Sequence, residues 1–110
     1  MDNFNEVKSI ISKMSEVERR AIYYWLAESY SDSLTGISKT EGICGGRARI
    51  RNMRFAVWRI EQMKRFGKTN KDILFSYSQL TEEDLLNADA YTITHKAEID
   101  KDIEDNESED

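Results

Sequence analysis

Proline is absent from the 110 residues, histidine and cysteine occur once each, and glycine only five times. Without proline, helices must be ended by glycine and by capping side chains. A single cysteine, Cys44, excludes an intrachain disulfide and any zinc site built from cysteine pairs, and it suits a reducing compartment. A single histidine, His95, excludes a histidine metal cluster and reads as an ordinary helix residue. A nucleophilic Cys44 would have only that histidine as a distant base. No apolar run approaches the roughly 20 residues that span a bilayer. The start, Met1 to Glu6, lacks the basic and apolar stretches of a signal peptide. These absences predict a cytoplasmic, non-enzymatic chain with no cofactor and no metal.

What the chain has in quantity is charge, 34% of residues against 39% hydrophobic, in a mass of 12.8 kDa. So small a core favours one helical domain, or stability borrowed from a partner. The charge is segregated. Arg47, Arg49, Arg51, Arg54, Arg59, Lys64, Arg65, Lys68 and Lys71 face one acid, Glu61, so this window carries +8 and the rest of the chain −13. Such a window points to an anionic partner, against the plainer reading of a solvated basic face.

Apolar spacing predicts a short helix over 4–13 from Phe4, Val7, Ile10 and Ile11. Ser15 with Glu18 forms a capping box that opens a second helix, about 15–31. Val17, Ala21 and Trp25 lie on one side of it, and Ile22, Leu26 and Tyr30 on the other, so it needs two neighbours. Turns follow from Ser33 to Gly46, with the glycines at 36, 42, 45 and 46 supplying positive φ and Ile37 in a short strand. A tight ribbon is expected across 48–57. Val57 to Phe66 reads as a helix closed by Gly67, with Val57, Ile60, Met63 and Phe66 inward and Trp58 near the polar side. Thr69 with Asp72 caps a helix over about 70–77, turning Ile73, Leu74 and Tyr77 inward. Thr81 with Asp84 caps a third, whose inward stripe is Leu86, Ala90, Ile93 and Ala97. These three helices form a helix-turn-helix-like unit. From Glu98 onward eight acids face Lys101, which predicts a disordered tail that Ile99 and Ile103 could draw into helix on binding. The expected organisation is an N-terminal helical hairpin over 1–34, a ribbon and helix-turn-helix domain over 35–97, and an acidic tail over 98–110. The fold class is mainly α.

The run Gly45-Gly46, Asn52-Met53-Arg54-Phe55-Ala56-Val57, Gly67, then Tyr77-Ser78-Gln79-Leu80-Thr81 resembles a bacterial family, the domain-of-unknown-function 433 family. Its members show a glycine pair, a "G-T-R-I-P-V" signature, a helix closed by glycine and a late "Y-P-x-L-T" motif. The resemblance covers roughly residues 35–92. Ala48, Ala56 and Ser78 stand where prolines are usual and Asn52 replaces a glycine, which marks a divergent member. The resemblance implies a homeodomain-like antitoxin that neutralises a PIN-like nuclease toxin by direct contact and binds its own promoter.

Two classes of function therefore stand side by side. In the first, Arg47, Arg49, Arg51, Arg54, Lys64, Arg65, Lys68 and Lys71 contact promoter DNA, with phosphate contacts supplying the affinity. Glu82, Glu83 and Asp84 in the first turn of the third helix argue against orthodox insertion of that helix. In the second, the chain is an adaptor whose basic patch docks an acidic protein. Arg51 and Arg54 could equally pair with the carboxylates of a nuclease metal site. The acidic C-terminus could instead cover a basic groove on a toxin. The glycine turn lacks the Gly-Lys-Ser/Thr ending of a phosphate loop, and Glu82-Glu83 and Glu98-Asp100 read as solvated charges. Tyr23, Trp25, Tyr30 and Trp58 are the expected partner or dimer contacts.

Overall fold

Three helices begin where a side chain satisfies free amides. Ser15, Thr69 and Thr81 accept hydrogen bonds from the backbone N–H three residues on, while Glu18, Asp72 and Asp84 accept from the N–H of the capping residue. The capping boxes read from sequence are all formed. The computed structural model describes the backbone of residues 2–31 and 36–108, and their side chains except those of Tyr30, Ser31 and Ser108. In chain order the elements are α1 (Asp2–Ser12), α2 (Glu16–Ser31), β1 (Ile37–Ser38), β2 (Arg49–Ile50), α3 (Val57–Arg65), α4 (Asn70–Ser76), α5 (Glu82–Thr94) and α6 (Lys96–Ser108). Gly67 ends α3 at φ +92°, letting Lys68 N–H donate to the Met63 carbonyl at 3.0 Å. The molecule is mainly α, with a helical pair, a short ribbon and then the three expected helices.

The ribbon has three parts rather than two. β1 pairs antiparallel with β2, setting Ile37 opposite Ile50 and Ser38 opposite Arg49. On the far side of β2, Ile50 N–H donates to Phe55 C=O at 2.8 Å and Val57 N–H to Ala48 C=O at 2.9 Å. The hairpin expected across 48–57 is thus present, with β1 added to it. Its left-handed residue is Arg51, at φ +47°. Gly36 is needed for closeness: a Cβ there would collide with the Asn87 side chain on α5.

The core gathers around α3. Val57 and Ile60 meet Ile50 and Phe55 of the ribbon, Ile73 of α4, Leu85, Ala88 and Tyr91 of α5, and Ile99 and Ile103 of α6. Three expectations change here. The buried face of α5 is Leu85, Ala88, Tyr91 and Thr92, while Leu86 is 64% exposed and Ala97 lies beyond the helix end. Phe66 is exposed because α3 stops one residue before it, so its side chain leaves the core face. Most importantly, the expected disordered tail is corrected: residues 96–108 form α6, with Ile99 and Ile103 buried against α3. Each such side chain stabilises by roughly 1.5–3 kcal/mol, a contribution to ordering that composition alone does not reveal. The acids at its end, Glu109 and Asp110, lie outside the described residues.

The N-terminal pair is built differently. α1 has no buried residue, and Ala27 is the one buried residue of α2 among those described. α2 lies along α5, whose second apolar side (Leu86, Ala90 and Ile93) faces it across a groove.

Candidate functional site

The basic window folds back on the acids of its own chain. Arg51 donates from Nε and Nη2 to both oxygens of Asp84, at 2.8 and 2.9 Å, and from Nη2 to the Gln79 carbonyl. This fork-to-fork pair joins the ribbon to the cap of α5. The Arg51 guanidinium holds the Asp84 carboxyl below its ordinary value, outweighing the effect of burial. Arg47 lies 3.5 Å from Asp102 and 3.7 Å from Asp105 on α6. Lys64 pairs with Asp89 at 2.5 Å, and Arg65 with Glu61 at 3.1 Å and Asp100 at 2.5 Å.

Arg49 is 5% exposed, donating to Thr40 Oγ1 at 2.9 Å and to the Met53 carbonyl at 3.3 Å. Arg59 lies beside an edge-to-face aromatic pair, 4.3 Å from the Phe55 centroid and 5.5 Å from that of Tyr77. Only Arg54, Lys68 and Lys71 of the expected DNA contacts are exposed without an ion pair among the described residues. The expectation of an open cationic platform is therefore corrected. Its paired cations face Asp84 and Asp89 of α5 and Asp100, Asp102 and Asp105 of α6 within ion-pair distance.

The same pairing redirects the acids. Glu98 and Asp100 are part-buried partners rather than solvated charges, and the α6 carboxylates face their own ribbon and helix. Glu98 accepts from Lys39 at 2.7 Å and from the Tyr91 hydroxyl at 2.6 Å. Burial works to raise its pKa, but these two bonds leave it below the ordinary value. Burial, aided by the Glu98 carboxylate, pushes the Tyr91 hydroxyl up to about 12. The Tyr91 ring stacks on His95, with centroids 4.0 Å apart and planes 6° from parallel, so the lone histidine caps a structural cluster. Asp102 differs from the other acids of α6. Burial raises its pKa despite Arg47, and its Oδ2 is buried with no hydrogen-bond partner. Among the described residues no group of three or more His, Cys, Asp or Glu is placed to hold a metal ion.

Exposed apolar surface lies elsewhere. On α1 it comprises Phe4, Val7 and Ile10, and on α2 Val17, Tyr23, Tyr24, Trp25 and Leu26. Between α2 and α5 runs a groove of about 440 Å³ lined by Tyr23, Leu26, Ala27, Leu86, Ala90 and Ile93, with Glu83 and Asp89 at its rim. Of the expected partner contacts, Tyr23 lines this groove and Trp25 is 63% exposed on another side of α2. Trp58 is corrected: it is half-buried and packed against the core. The Tyr30 side chain lies outside the described residues. Sequence reasoning missed Leu26, Leu86 and Ile93 as surface residues, because the α5 stripe reads equally well as core. It also missed the acidic partners of the arginines. The signal was present in the opposite charges of the middle and end of one chain.

The family described as "Protein of unknown function (DUF433)" matches residues 37–92. A crystal structure of a DUF433 member protein from Anabaena variabilis ATCC 29413 is similar over 94% of this chain and 98% of that one. The identity is 32% and the TM-score 0.62. No curated protein matches the chain. The chain therefore belongs to the DUF433 family.

Proposed function

We propose that the chain is an antitoxin-like binding protein that neutralises a PIN-like nuclease by docking it in the groove between α2 and α5. One observation carries this reading. Four cations of the basic stretch, Arg47, Arg51, Lys64 and Arg65, are engaged by internal acids, whereas Leu26, Leu86 and Ile93 leave an apolar groove open to solvent. Grooves of this kind accept the apolar face of an amphipathic helix, and Glu83 among its lining residues favours an occupant with a basic flank, Asp89 being held by Lys64. The link to a nuclease comes from the family resemblance, and on this reading the protein acts in the cytoplasm beside its toxin.

Promoter binding takes a smaller share in this reading. Arg54, Lys68 and Lys71 supply few phosphate contacts, so affinity for duplex DNA falls gently with salt, by a log–log slope of about −0.9 per contact. The adaptor reading, in which the basic patch docks an acidic protein and no DNA is bound, predicts a flat response to duplex.

The test is co-purification with the product of the adjacent gene, with nuclease activity as the readout. Wild-type protein inhibits the nuclease, while Leu86→Glu loses binding by about a hundredfold, as loss of an interface anchor of roughly 2–4 kcal/mol requires. A neighbouring product that is not bound, or full inhibition by Leu86→Glu, would overturn the proposal.

A further inference from the structure

Phe75 is 90% exposed, more than any other large apolar side chain among the described residues. It stands on the outer side of α4, because Ile73, two residues earlier, is buried in the core and two helical residues turn by about 200°. Lys71 lies one turn before Phe75, so the ammonium and the ring share that outer face. The turn leading into α4 is open as well, every residue from Phe66 to Asp72 being exposed. Among the described residues no ring or cation lies on the face of Phe75, whereas Phe55 meets both Tyr77 and Arg59. Lys68 and Lys71 likewise make no ion pair there, unlike Lys64 and Arg65 of α3. We infer that the outer face of α4 binds single-stranded nucleic acid, one base stacking on Phe75 while the neighbouring phosphates meet Lys71 and Lys68.

Charge selects a polyanion. From Gln62 to Thr81 the chain has one acid, Asp72, against Lys64, Arg65, Lys68 and Lys71, although its net charge is −5. Asp72 is committed to the capping box, where it accepts from the Thr69 N–H at 2.9 Å. The Thr69 amide and, in smaller part, Lys68 hold the Asp72 carboxyl below its ordinary value, so the Lys68 ammonium lies near the first turn of α4. The free ring then selects among polyanions. A duplex keeps its base faces stacked inside, and Phe75 gains nothing from its phosphates. A single strand offers a ring face with every nucleotide, and a base on an aromatic side chain binds whatever its sequence. An anionic bilayer fits less well, since Asp72, three residues before Phe75, would be drawn against lipid charge of its own sign.

Fluorescence anisotropy of a labelled oligothymidylate titrated with the full chain at low salt tests this. The single strand binds about tenfold tighter than a duplex of equal length, and its affinity falls with salt by a log–log slope of about −0.7 per phosphate met. Phe75→Ala weakens binding by about tenfold and leaves that slope unchanged, as loss of one stacked base requires. Lys71→Gln instead flattens the slope by about 0.7. Helical circular dichroism persists in both variants, because the core around α3 uses neither side chain. Leu86→Glu, in the groove, binds the strand as wild type does, so failure here is distinct from failure of toxin docking. Four outcomes overturn the inference: no binding of the strand, a duplex bound as tightly, an affinity untouched by Phe75→Ala, or co-sedimentation with phosphatidylserine vesicles in place of strand binding.

Discussion

Arg51 occupies the left-handed region at φ +47°, a conformation that costs an L side chain roughly 1–2 kcal/mol. The bidentate bond to Asp84 and the bond to the Gln79 carbonyl offset that cost. Asp84 does double work, since it also completes the capping box of α5. Asp84→Ala should therefore destabilise by about 2–3 kcal/mol, combining a lost cap partner with the loss of charge-assisted hydrogen bonds from a half-exposed arginine. Urea unfolding would measure it. A change below ~0.5 kcal/mol would show that the pair contributes only geometry. Asp102 makes the opposite prediction. Its carboxyl is raised by burial, so ionisation at neutral pH opposes folding. Asp102→Asn should raise the unfolding midpoint at pH 7, with Arg47 keeping Asp105, and should lose this advantage where Asp102 is itself protonated. Cap residues were legible in the sequence because their partners lie three positions away. The arginine partners were not, since Asp84 lies 33 positions from Arg51 and only folding brings them together.

At the scale of elements, α6 shows how composition misleads. Its acids read as a solvated tail, but Ile99 and Ile103 recur at a helical interval of four and reach the core beside α3. Ile99→Ala should cost about 2–5 kcal/mol, the range for a buried aliphatic truncation. A loss confined to local fraying at the C-terminus, read by amide exchange, would place α6 outside the cooperative unit. α5 misled in phase rather than in existence. Its two apolar stripes, Leu85–Ala88–Thr92 and Leu86–Ala90–Ile93, are one residue apart, and nothing local says which one the core will take. The short β1–β2 pairing was harder still to read. Two residues on each side carry little propensity, and the ladder is stabilised by the core beneath Ile50.

For the whole molecule, charge acts as an internal fastener. Asp84, Glu98 and Asp100 all have pKa values lowered by hydrogen bonds from Arg51, from Lys39 and Tyr91, and from Lys96 and Arg65. A lowered folded value means the stabilisation is complete above the ordinary carboxylate range and is lost as pH falls through the folded values. Asp102 has the reverse sign, relieving the fold as it takes up its proton at milder acidity. On acidification, stability should first hold or rise slightly and then drop steeply once the ordinary values of 3.8 and 4.5 are passed. A thermal unfolding series against pH checks this. A steady decline beginning near neutrality would mean that the ion pairs contribute little. The helical pair at the N-terminus stands apart from this fastening, since α1 has no buried residue and α2 buries Ala27. It carries exposed apolar side chains, as do Phe66 and Phe75, and the groove beside it faces α5.

From sequence alone came α1 to α5, the three capping boxes, the glycine stop at Gly67, the family and the two-sided character of α2. Each rests on interactions within a few residues, or on a motif whose order survives divergence. Only the tertiary structure decided that cations of the basic middle pair with acids of α5 and α6, and that α6 is core. It also decided which stripe of α5 stays open. Those outcomes depend on which charges and apolar faces come within a few ångströms after collapse, where Coulomb attraction and burial compete over distances that no local pattern encodes.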